Sequence, residues 1–180
     1  SFNLTSKPTT NATEHRIELV ATSKTPLALD SILFSGSATE QTKFKARIVS
    51  KQLTRAPYTY NLAISQLDTA KIQGELIVSM AGVDPISITI DQIAPTATIS
   101  LQGASAKTPS HIYDVRLDKK ATLTSASFKP ATGSANGCQV GSVIGADLYY
   151  QVSLDNCSDG KFGLTLIQNG FVDVYGNRGP

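Results

Sequence analysis

Hydrophobic and polar positions alternate along most of the chain. In Arg16-Ile17-Glu18-Leu19-Val20-Ala21, Ile17 and Leu19 fall on one face, and in Tyr58-Thr59-Tyr60-Asn61-Leu62-Ala63-Ile64 the residues Tyr58, Tyr60, Leu62 and Ile64 do so. The same pattern runs through Ile86-Ser87-Ile88-Thr89-Ile90, Ala97-Thr98-Ile99-Ser100-Leu101, Tyr150-Gln151-Val152-Ser153-Leu154 and Phe162-Gly163-Leu164-Thr165-Leu166. Successive side chains of a strand point to opposite faces, so a period of two predicts strands with one buried face. Clusters of Gly, Pro, Asn and Asp separate the runs, as turns require. No segment places apolar residues at i, i+3, i+4 and i+7 over ten positions, and Gln66 to Gly74 holds one short turn at most. The expected class is all-β.

The pattern also repeats weakly. Leu29-Asp30-Ser31-Ile32-Leu33-Phe34 resembles Leu123-Thr124-Ser125-Ala126-Ser127-Phe128. Tyr60 to Ser65 resembles Tyr150 to Asp155, and Leu76-Ile77-Val78 resembles Leu164-Thr165-Leu166, at offsets of 94, 90 and 88 residues. A period near ninety residues suits one seven-stranded sandwich. Two tandem β-sandwich domains are therefore predicted, residues 1–93 and 94–180, with the junction in Asp91-Gln92-Ile93-Ala94-Pro95-Thr96. Pro95 fixes its own φ and pushes Ala94 toward an extended conformation. The alternative is one larger sandwich with chance echoes. The first domain's core is expected from Ile17, Leu19, Phe34, Tyr60, Leu62, Ile64, Leu76 and Val78.

The second half resembles the Ig-like repeats of large bacterial surface proteins. The resemblance rests on Ala94-Pro95-Thr96-Ala97-Thr98-Ile99, the pair Cys138 and Cys157, the run from Cys157 to Leu166, and the ending Val172-Asp173-Val174-Tyr175-Gly176-Asn177-Arg178-Gly179-Pro180. Residues 1–93 share only strand order and spacing and lack the cysteines. The resemblance implies an Ig-like fold and a location outside the cell, and it implies no catalytic residue and no cofactor.

Composition fits that picture. Charged residues are 17% and hydrophobic residues 41%, with 19 Ser, 19 Thr, one Met and no Trp. Thr suits strands and Ser suits turns. The net charge of +2 is spread, its densest runs being Lys43-Lys45-Arg47-Lys51 and Arg116-Lys119-Lys120. A nucleic-acid partner is not expected, since phosphate binding needs a concentrated basic face. The apolar run Leu76 to Ala81 is too short to span a membrane. The abrupt start at Ser1 and stop at Pro180 suggest a fragment of a longer chain.

Candidate chemistry is sparse. His15 and His111 lie in no catalytic signature and are expected to be solvated surface residues. The Glu residues are Glu14, Glu18, Glu40 and Glu75, and no acid pair stands out. Two Cys and two distant His do not make a zinc site. Asp155, Asn156, Asp159, Asp173 and Asn177 could offer hard oxygen ligands to calcium, although Asp173 and Asn177 are better read as a structural turn. Gly133-Ser134-Ala135-Asn136-Gly137 is expected to be a flexible loop, with no helix after it to bind phosphate. Tyr149 and Tyr150 must point to opposite faces of a strand, one to the core and one to the surface. Tyr149 is expected to give ordinary edge cover, a sugar-binding platform being the alternative.

Cys138 and Cys157 are expected to form a disulfide, being an even pair in a chain that reads as exported. They would sit at the open end of a hairpin turning at Gly145-Ala146-Asp147. Two free buried thiols are the alternative. The expected role is a non-catalytic stalk, spacer or adhesin region of a surface protein. Its partners would be neighbouring repeats and, if any, a host protein or glycan. A carbohydrate- or protein-binding module, such as an accessory domain of a secreted hydrolase, is the alternative.

Overall fold

A computed structural model describes residues 1–4, 9–22, 24, 26–103 and 110–180. Among them the chain is all-β, with no α-helix and only short 3-10 turns at Leu29–Ser31, Ser37–Glu40 and Ser125–Ser127. It divides into two compact units, Ser1–Ile93 and Ala94–Pro180.

The first unit contains β1 (Phe2–Leu4), β2 (Thr9–Thr10), β3 (Glu14–Ala21), β4 (Leu33–Ser35), β5 (Phe44–Gln52), β6 (Tyr58–Gln66), β7 (Gln73–Met80) and β8 (Val83–Asp91). One sheet runs β1-β3-β6-β5 and the other β2-β8-β7-β4. These are the ABED and GFC sheets of an Ig sandwich. The first strand is split: β1 pairs antiparallel with β3, and β2 pairs parallel with β8. Inward residues of both sheets build one core around Ile17, Leu19, Leu62, Ile64, Leu76 and Val78. Phe34 is partly buried and packs against that core. Ile32, Phe44, Ile72, Ile88 and Ile90 also belong to it.

The second unit contains β9 (Ala97–Leu101), β10 (His111–Leu117), β11 (Ala121–Thr122), β12 (Phe128–Pro130), β13 (Gln139–Ala146), β14 (Tyr149–Asp155), β15 (Leu164–Leu166), β16 (Phe171–Asp173) and β17 (Arg178–Gly179). Its larger sheet runs β9-β10-β14-β13, the same order as β1-β3-β6-β5. Opposite it lie the two-stranded β12-β15 and the three-stranded β11-β16-β17. The sequence echoes fall on equivalent pairings. Phe34 is opposite Val78, and Phe128 is opposite Leu166. Tyr60 is opposite Leu19, and Tyr150 is opposite Val115. Tyr113, Val115, Phe128, Tyr150, Val152, Leu154 and Phe171 form the core.

Four expectations change. First, His15 and His111 are not solvated: they are 1% and 7% exposed. They hold equivalent inward positions, opposite Ile64 and Leu154 respectively. His111 stacks on Phe162 with ring centroids 3.6 Å apart, whereas neither ring nitrogen of His15 has a hydrogen-bond partner among the described residues. Second, the strand expected over Phe162 to Leu166 begins only at Leu164, and Phe162 stacks on His111 from outside it. Third, the hairpin turn sits at Asp147–Leu148, with Asp147 at φ +58°, since β13 continues through Ala146. Fourth, the loop from Gly133 to Gly137 is tied down. Ala135 N–H donates to Lys161 O, Ser158 N–H to Asn136 O, and Gly163 N–H to Ser134 Oγ.

Cys138 and Cys157 are joined in a disulfide with their Cα atoms 4.1 Å apart. It ties the residue before β13 to the second residue past β14, so it closes the open end of one hairpin. The inter-sheet bridge of antibody domains links strands B and F instead.

Candidate binding face of the second unit

The outer face of the β9-β10-β14-β13 sheet follows from register. In β10, Tyr113 and Val115 point inward, so Ile112, Asp114 and Arg116 point outward. In β14, Tyr150, Val152 and Leu154 are buried, so Tyr149, Gln151 and Ser153 face out. Cross-strand partners sit about 5 Å apart on one face. One row therefore reads Thr98, Arg116, Tyr149, Ala146, and the next reads Ser100, Asp114, Gln151, Ile144.

All of these residues except Ala146 line a shallow, open groove of about 650 Å³. A second depression of about 340 Å³ continues along the same face and shares Ile144 and Gln151 with it. Tyr149 is 58% exposed and Ile144 66%. The Arg116 guanidinium carbon lies 5.2 Å from the centroid of the Tyr149 ring, a cation–π contact that positions both groups. Asp114 Oδ1 accepts from Gln102 Nε2 at 2.7 Å and from Gln151 Nε2 at 3.3 Å. Two amides thus orient one carboxylate.

The equivalent face of the first unit is built differently. Arg16, Ala63 and Arg47 form one row, and Glu14, Ser65 and Lys45 the next. Glu14 is within 2.7 Å of Arg16 and 3.0 Å of Arg47, and it accepts from Ser65 Oγ at 3.1 Å. The two arginines and the serine hydroxyl hold the Glu14 carboxyl below its usual range, the Arg47 hydrogen bond foremost. Ala63 lies between the two arginines and is fully buried. An ion-paired lattice seals that surface. In the second unit, Ile112, Ser153 and Ser142 stand where Arg16, Ala63 and Arg47 stand in the first, and no ion pair covers them among the described residues.

The residues considered for calcium are divided between sheets. Asp155 ends β14, where Ser110 and Ser153 donate hydroxyl hydrogen bonds to it. Asn156 and Asp159 are exposed beyond that strand. Asp173 and Asn177 share a buried turn in the opposite sheet. Asp173 Oδ1 accepts from the N–H groups of Tyr175 and Asn177 at 2.9 and 2.8 Å, and Oδ2 accepts from Asn177 Nδ2 at 3.0 Å. Gly176, at φ +95°, supplies the left-handed residue of that turn. All these bonds are buried or half-buried, so Asp173→Ala leaves donors without partners. It should lower the stability of the second unit by about 1–2 kcal/mol, read from its thermal unfolding. No group of three or more His, Cys, Asp or Glu able to hold a metal ion occurs among the described residues.

Sequence analysis found Tyr149 but missed Arg116, Asp114, Gln151 and Ile144. The inward phase of Tyr113 and Val115 was the available signal for Asp114 and Arg116.

No family model matches the chain, and no curated protein matches it. Among solved structures it is similar to FdeC of Escherichia coli, described as a novel, broadly conserved adhesin eliciting protection against urinary tract infections. The identity is 14% and the TM-score 0.49, over 94% of this chain and 58% of that one. The chain thus spans little more than half the length of that structure. So distant a likeness says nothing about function.

Proposed function

We propose that this chain is a non-catalytic tandem Ig-like segment of an exported bacterial surface protein, serving as a stalk, spacer or adhesin region. The observation that carries this proposal is duplication. The same four-strand sheet order is built twice, each time over its own core, as expected of a unit that can be added in series. The disulfide supports export, because such bonds persist in oxidising compartments. The acids do not converge on a cleft: Glu14 is ion-paired, Asp173 is enclosed in its turn, and Asp114 is held by two amides.

The test joins localisation with chemistry. Expressed behind a secretion leader, the chain should accumulate outside the cytoplasm with no thiol available to alkylation after denaturation. It should turn over none of a panel of glycoside, ester and peptide substrates. Retention in the cytoplasm with two reactive thiols would count against export. An activity abolished by substituting a single Asp or Glu would overturn the non-catalytic role.

A further inference from the structure

We propose that the outer face of the β9-β10-β14-β13 sheet binds a neutral oligosaccharide. The inference does not depend on whether the segment is a stalk or an adhesin region, since it rests on the chemistry of this face alone.

The polar atoms define the ligand. Gln102 and Gln151 both spend an amide N–H on Asp114 Oδ1. Asp114 Oδ2 has no partner among the described residues, and the amide oxygen of Gln151 lines the same groove. These are acceptors. Arg116, two residues along β10, is donor-only. A ligand that satisfies this set must donate and accept from neighbouring positions, and vicinal hydroxyls do both. Thr98 and Ser100 add hydroxyls on the β9 side of the groove.

The apolar atoms agree. Tyr149 and Ile144 border the groove and are exposed well beyond what their side chains favour. An aromatic ring with a polar rim suits a surface that is apolar on one side and hydroxylated on the other. The C–H face of a pyranose is such a surface. A groove of about 650 Å³ lies within the size range of small-ligand sites and would take two or three sugar rings.

Charge selects against the other occupants. Arg116 and Asp114 lie on adjacent rows of the same strand and offset each other, so the groove has no net sign. An acidic ligand drawn to Arg116 would meet Asp114, and a basic peptide drawn to Asp114 would meet Arg116. A neutral polyol pays neither penalty. Register places Glu18, Val20, Thr59 and Asn61 of the first unit where Asp114, Arg116, Tyr149 and Gln151 stand, so that face lacks the aromatic ring and its arginine and should not bind.

The experiment uses the whole 180-residue chain. It is applied to an array carrying neutral gluco-, galacto- and manno-configured oligosaccharides beside sialylated and sulfated ones, and any neutral hit is titrated by calorimetry. A neutral glycan should bind. Tyr149→Ala and Asp114→Ala should each weaken it at least tenfold, while Arg47→Ala on the first unit leaves it unchanged. Both positions in the second unit are on the surface, and unchanged thermal unfolding would show that the variants fold. Amide shift perturbation should be confined to β9, β10, β14 and β13. Absence of any neutral hit, preference for sialylated or sulfated glycans, or binding indifferent to Tyr149→Ala and Asp114→Ala would overturn the proposal. None of these results would bear on export or on the lack of catalysis.

Discussion

Replacing both Cys138 and Cys157 by Ser should lower the stability of the second unit by about 3 kcal/mol and leave the first unit unchanged. The bridge spans 19 residues of sequence, and closing a loop of that size removes about this much entropy from the unfolded chain. Both cysteines also pack against the core of Tyr113, Val152 and Leu154, so the substitution trades apolar contact for hydroxyls. For a unit of this size the loss corresponds to a fall in melting temperature of roughly 12–24 °C. Thermal unfolding of the intact chain with and without reductant measures it. The double variant should match the reduced wild type and be insensitive to reductant. A change below about 1 kcal/mol would mean that the unfolded chain already holds the β13–β14 hairpin closed. The first unit has no cysteine and relies on its aliphatic core, so its transition provides the internal control.

Mild acid should destabilise the first unit through His15. His15 is 1% exposed and its ring nitrogens have no hydrogen-bond partner among the described residues. Burial pushes its pKa below the ordinary 6.5, against a smaller opposing pull from Glu14. The folded state therefore binds the proton less readily than the unfolded state. By linkage, stability is fully present above about pH 6.5. It falls as the pH drops through that value, and the loss continues until the folded pKa is passed. Hydrogen exchange at β3 and β6 amides, followed from pH 7.5 to 5, should show protection falling over that range. His15→Leu should remove this dependence. At pH 7.5 the same variant should raise stability by about 1–3 kcal/mol, because a buried polar ring without partners becomes an apolar side chain of similar size. Unchanged exchange between pH 7 and 5 would show that the ring is protonated without cost.

The sandwich was legible because each sheet buries one face. That turns composition into alternation, and Ile17, Leu62, Leu76 and Val78 could be placed in the core from phase alone. The histidines show where phase was available and set aside. His15 is in step with Ile17 and Leu19, and His111 with Tyr113 and Val115, yet polarity argued for the surface. Ile72 was not legible: it precedes β7 outside any strand, yet it is fully buried, and its N–H is received by Gln92 Oε1. The candidate face was illegible for a different reason. Arg116 and Tyr149 meet only through pairing of strands far apart in sequence, and alternation within one strand does not state which strand lies beside it.

The split first strand has a mechanical consequence. In the first unit β2, the second half of that split strand, runs parallel to the last strand, β8, with Thr9 beside Thr89 and Thr10 beside Ile90. A pull on the ends loads β1 against β3 first, and then drags β2 and β8 past each other along their own axes. Every bond between them is then strained in shear at once, and none can open ahead of the others. In the second unit β9 pairs antiparallel with β10 and β17 antiparallel with β16. Tension there finds no parallel clasp among the described residues, and the extension it can release is limited by the covalent link across the β13–β14 hairpin. Two units with one sheet plan thus resist load by different means, one by a short shear clasp and the other by a bond that does not yield.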